Sequence, residues 1–98
     1  MDTYSTAREV EKPKRLPIDA DVSLVMSEIA QEVMRARAKF KPFNSAHEGY
    51  AVILEEVDEL WDEVKKQYHD SGPNMRKEAL QIAAMAVRFL TDVTKVIA

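Results

Sequence analysis

The chain is 98 residues long, enough for one small domain near the size at which a single core is marginal and association helps. With 46% hydrophobic and 32% charged residues its composition is globular, not disordered. A net charge of −3 without any basic cluster offers nothing to recruit nucleic acid or an anionic membrane, and the lack of cysteine excludes disulfides and thiolate metal sites.

No apolar run approaches membrane-spanning length, and the N-terminus lacks the apolar core of a signal peptide, so a soluble cytoplasmic protein is expected. Residues 1–17 mix Thr, Ser, Glu, Lys and Arg with Pro13 and Pro17 and show no sustained period, which predicts a flexible or extended N-terminal arm. Residues 18–98 form the single all-α domain.

The first helix is expected to begin near Asp19 or Asp21, either of which can cap it. Val22, Val25, Met26, Ile29, Val33, Ala36 and Phe40 then recur at three- and four-residue steps as one apolar stripe. Glu28, Gln31, Glu32, Arg35 and Lys39 fall opposite. Pro42 ends this helix, because proline cannot continue the backbone ladder and disfavours helix in the residue before it.

Ser45-Ala46-His47-Glu48 is a capping-box pattern and predicts a second helix from Ser45. Its apolar arc is Tyr50, Ile53, Leu54, Val57, Leu60, Trp61 and Val64, with Trp61 expected in the core or an interface. Seven acidic side chains lie between Glu48 and Glu63 with no basic residue among them. An acidic run on a helix is ordinarily a solvated face. Here, however, Glu55 and Glu59 stack one turn apart with Glu56 beside them, and Glu56 lies about 40° from Leu60, at the margin of the apolar arc. Three carboxylates within reach of one cation favour Mg²⁺ or Mn²⁺.

Asp70-Ser71-Gly72-Pro73-Asn74 is a turn by composition. A third helix from about Asn74 to Val96 is apolar over more than half its circumference, which predicts burial on more than one side and an oligomer, a homodimer or homotetramer, with this helix at its centre. Glu78 breaks the pattern, because it projects among Ile82, Met85, Phe89 and Val96. An ionised carboxylate in that setting costs several kcal/mol unless it is paired or coordinated. Antiparallel helices joined by a short turn would bring Glu78 to Glu55, Glu56 and Glu59, as in carboxylate metal sites inside helical bundles.

The group Glu55-Glu56-Val57-Asp58-Glu59 followed by Glu78-Ala79-Leu80-Gln81 resembles the MazG-like, all-α nucleoside-triphosphate pyrophosphohydrolase superfamily. Its pattern is Glu-Glu-x-x-Glu on one helix and Glu-x-x-Asp on the next. The resemblance covers roughly residues 43–90, and Gln81 stands where the family carries aspartate. It implies three helices per chain assembling into an oligomeric helical bundle of the all-α NTP pyrophosphatase type. The implied reaction is Mg²⁺-dependent hydrolysis of a (d)NTP to the (d)NMP and pyrophosphate, in house-cleaning or control of the nucleotide pool. Glu55, Glu56, Glu59 and Glu78 would be the catalytic metal ligands. Gln81 would offer only an uncharged carbonyl oxygen, weakening cation binding or lowering the number of metals held.

Arg88, two turns beyond Gln81 on nearly the same line, is a candidate for contacting phosphate, as are Lys39 and Lys41; His47 is a candidate for contacting substrate. Their simpler readings are a surface arginine paired with Asp92, surface lysines and a solvated histidine. The alternative for the whole chain is a helical interaction or regulatory module of the same fold with weakened or lost turnover, and Gln81 motivates it.

Overall fold

The computed structural model describes residues 16–66 and 72–94; the expected arm up to residue 15, the start of the expected turn and the last four residues lie outside the described residues. The described chain is all-helical: α1 spans Ala20–Lys39, α2 Ala46–Lys66 and α3 Gly72–Asp92, with no strand among the described residues.

Asp19, not Asp21, caps α1, its Oδ1 accepting from the Val22 N–H at 2.8 Å. The helix closes at Lys39, after which Phe40 is extended (φ −125°, ψ 150°) two residues before Pro42. Ser45 caps α2 from outside, so the helix starts one residue later than expected. The Glu48 N–H donates to Ser45 Oγ at 3.1 Å, while Glu48 Oε1 accepts from the Asn44 N–H at 2.6 Å. The third helix starts two residues before the expected Asn74, because Pro73 in a first turn needs no intrahelical donor. It ends at Asp92, the expected end at Val96 lying outside the described residues, and Val93 and Thr94 both donate back to the Phe89 carbonyl.

The layer order is α1–α3–α2. Arg76 meets Glu28 and Arg37 meets Thr91, so α1 runs parallel to α3. Gly49 packs on Phe89 while Glu59 faces Glu78, so α2 runs antiparallel to it. No Cα of α1 comes within 8 Å of a Cα of α2 among the described residues. Between them, residues 40–45 cross the C-terminal part of α3, where the core sits: Val33, Ala36, Phe43, Ala84 and Met85.

The wide apolar arc of α3 is therefore occupied largely within the chain, by one neighbour on each side. In the single chain Leu90 of α3 is exposed, and more uncovered apolar surface lies on the two outer helices. Val22, Val25 and Met26 of the α1 stripe are exposed, as are Tyr50, Leu54, Val57, Trp61 and Val64 along the outer side of α2. Trp61, expected in a core or interface, is 57% exposed in the chain alone. No helix among the described residues is long and apolar enough to cross a membrane.

Candidate metal centre and cleft

The antiparallel α2–α3 hairpin brings one turn of α2 against the first turns of α3. Glu56, Glu59 and Glu78 each place one carboxylate oxygen so that all three lie within 4.8 Å of one another. Octahedral Mg²⁺ with bonds of about 2.0–2.1 Å needs ligand oxygens roughly 3–4 Å apart, so small side-chain rotations would gather these three on one hard cation. The donor set, three carboxylates without nitrogen or sulfur, suits such an ion.

The electrostatics point the same way. Glu56 is partly buried, and that desolvation, reinforced by the charges of Glu59, Glu78 and Glu55, pushes its carboxyl up to about 7. The Glu78 carboxyl is also raised, by burial first and then by Glu59, with Lys77 opposing. The neighbouring Glu59 carboxylate favours the protonated forms of both Glu56 and Glu78. In the bare protein a proton thus relieves the repulsion that a divalent cation would relieve more fully.

Beside the triad opens a cleft of about 760 Å³, within the size range of small-ligand sites. Its floor is α3, through Gln81, Met85 and Arg88. One wall is α1, through Glu32, Arg35 and Lys39; the other is α2, through Glu48, Val52, Glu55 and Glu56; Phe43 and Asn44 close the end. Glu56 belongs to both triad and cleft.

The sequence placed four glutamates in one cluster, and the structure brings three of them together. Glu55 lines the cleft wall but lies outside the 4.8 Å group. Lys39 and Lys41 also line the cleft. His47 is exposed and does not line it.

Arg88 is not the surface residue of its simpler reading: it is 3% exposed. Its Nη2 donates to the Lys41 carbonyl at 2.9 Å, its guanidinium stacks 4.3 Å from the Phe43 ring, and Asp92 lies 3.7 Å from Nε. Asp92 in turn accepts from the Phe43 N–H at 3.2 Å. Arg88 and Asp92 together pin the crossing loop onto α3 and so fix the closed end of the cleft.

Gln81 lines the cleft together with Glu32 on α1, and its side-chain amide beside that carboxylate is the foremost cause that holds Glu32 below its ordinary value. Glu32 accepts from Arg35 Nε at 2.9 Å and Nη2 at 2.5 Å, both at Oε1. The sequence reading put Glu32 on the solvated side of α1. It is partly buried, and a signal existed: it lies three residues after Ile29 and four before Ala36, both on the packed face. Glu63, one turn beyond Glu59, was likewise read as solvated. Its Oε1 is buried without a hydrogen-bond partner, its Oε2 meets Lys66 at 2.9 Å, and its charge acts on Glu78.

No protein-family model matches the chain, and no curated protein or solved structure shows significant similarity to it.

Proposed function

We propose that the chain is a Mg²⁺-dependent nucleotide pyrophosphohydrolase of the MazG-like, all-α kind, converting a (d)NTP and water to the (d)NMP and pyrophosphate, with Mn²⁺ able to substitute. The observation that carries this reading is the meeting of Glu56, Glu59 and Glu78 at the side of a ligand-sized cleft. These three would hold the ion. When bound, Mg²⁺ neutralises phosphate charge and lowers the pKa of a coordinated water. Glu55, on the cleft wall next to Glu56, is assigned to accept the proton of the attacking water. Lys39 and Lys41 bring positive charge to the cleft, which draws in an anionic ligand. His47 is given no role, and Arg88 is given a positioning role through the loop.

The active form is proposed to be a homodimer or homotetramer, since the outer stripe of α2 and the first turns of α1 leave large apolar side chains uncovered. Sedimentation at several concentrations tests that part. The second reading, an inactive interaction module, is favoured by one observation, the uncharged Gln81 facing Glu32 in the cleft where it adds no charge for a cation. Pyrophosphate release from a panel of ordinary and modified (d)NTPs with Mg²⁺ or Mn²⁺ separates the two. If no substrate turns over, and Gln81→Asp does not restore turnover, the hydrolase reading falls.

A further inference from the structure

Taking the cleft as a nucleotide site, as proposed above, we infer that Glu32, held by Arg35 and beside Gln81, is the subsite for the sugar hydroxyls of the ligand. The order of residues along the floor gives the direction in which a nucleotide lies. Glu78 of the triad comes first; Gln81 follows about 4.5 Å further along α3, at 1.5 Å per residue; Met85 and Arg88 come later, near Phe43 and Asn44. A nucleotide whose α-phosphate sits at the triad meets Glu32 and Gln81 next, and its sugar is the part that follows the phosphate. The base then reaches the apolar stretch of Val52, Met85 and Phe43.

The chemistry of Glu32 fits a neutral donor. A carboxylate repels phosphate, so a carboxylate beside the phosphate end does not bind the phosphate chain. Arg35 donates to it twice, both times at Oε1, and an ionised carboxylate has about four acceptor positions, so Oε2 keeps room for a hydroxyl beside the Gln81 amide. Arg35 fixes the carboxylate from its own helix, so little ordering is left to be done on binding. Gln81 also keeps a carbonyl oxygen, a second acceptor at the same level of the cleft.

The test is a cycle between ligand and side chain, read by calorimetric titration in Mg²⁺. The ligands are one nucleoside monophosphate as the ribo, 2′-deoxy and 2′,3′-dideoxy forms; the proteins are the natural chain, Glu32→Gln and Glu32→Ala. The natural chain is expected to lose about ten- to a hundredfold in affinity when the hydroxyl is removed, the range of one hydrogen bond to a charged group. In Glu32→Ala the three ligands should bind within about twofold of one another, and Glu32→Gln, which keeps size and an acceptor oxygen, should fall between. Equal binding of all three ligands by the natural chain overturns the inference, and so does a hydroxyl penalty that survives in both variants. Monophosphate binding needs no turnover, so a chain that shows the penalty but hydrolyses nothing retains this subsite and loses the hydrolase reading. A chain that hydrolyses triphosphates without any hydroxyl penalty loses the subsite alone. Binding of no monophosphate at all overturns the cleft as a nucleotide site and this inference with it.

Discussion

Replacing Glu56 by glutamine converts the crowding of three carboxylates into a measurable dependence of stability on pH. The Glu56 carboxyl lies near 4.5 in an ordinary setting and is raised to about 7 in the fold. The folded state therefore holds this proton more tightly than the unfolded chain. Its favourable contribution is complete below the ordinary value and is lost as pH rises through about 7. At about 1.4 kcal/mol per pH unit the full effect would be about 3 kcal/mol, and solvent access to this half-buried group reduces it to roughly 1–2 kcal/mol. Glu56→Gln is neutral throughout. In EDTA it should match the natural chain near pH 4 and exceed it at pH 8 by that amount, or roughly 5–15 °C in Tm for a domain of this size. Thermal unfolding followed by helical circular dichroism at fixed protein concentration measures the difference. Adding Mg²⁺ at pH 8 should stabilise the natural chain by mass action and not the variant. A gap between the two proteins that stays flat from pH 4 to pH 8, or one that favours the natural chain as pH rises, would refute the reasoning.

Gly49→Ala adds a Cβ 2.6 Å from Phe89 Cδ2 and 3.1 Å from Phe43 Cδ2, so both rings must shift. Alanine's better helix propensity returns about 1 kcal/mol, yet overpacking costs about 1–3 kcal/mol, and denaturant unfolding should show a net loss. Arg88→Ala leaves the buried Asp92 carboxylate uncompensated and frees the crossing loop; a loss of about 3 kcal/mol is expected, together with faster amide exchange at Phe43.

Much of the fold was legible in the sequence because helix periodicity and capping are local. Asp19, Ser45 and Pro42 mark boundaries through groups within a few residues of themselves, and the structure moves those ends by one or two positions. The meeting of Glu59 with Glu78 was also legible, since a short connection between two helices leaves little freedom except an antiparallel hairpin. What stayed hidden depends on where α1 lands. Nothing local to Glu32 reveals that α1 packs parallel to α3 at a register that sets Glu32 against Gln81, so the cleft and its second carboxylate emerge only in three dimensions. The width of the apolar arc on α3 was read correctly as burial on two sides. A periodicity cannot say whose side chains provide that burial, and here α1 and α2 of the same chain provide much of it. The separation of Glu55 from its three neighbours follows from helix geometry as well. It lies about 100° round α2 from Glu56, which turns it to the cleft wall and away from Glu78.

Mn²⁺ binding, counted by electron paramagnetic resonance of the free ion in the natural chain and in single glutamate-to-glutamine variants, tests the shared cation most directly. The account predicts saturable binding that is lost in Glu56→Gln, Glu59→Gln and Glu78→Gln and largely kept in Glu55→Gln. Absence of saturable binding, or binding that persists when Glu78 on the other helix is replaced, would contradict it.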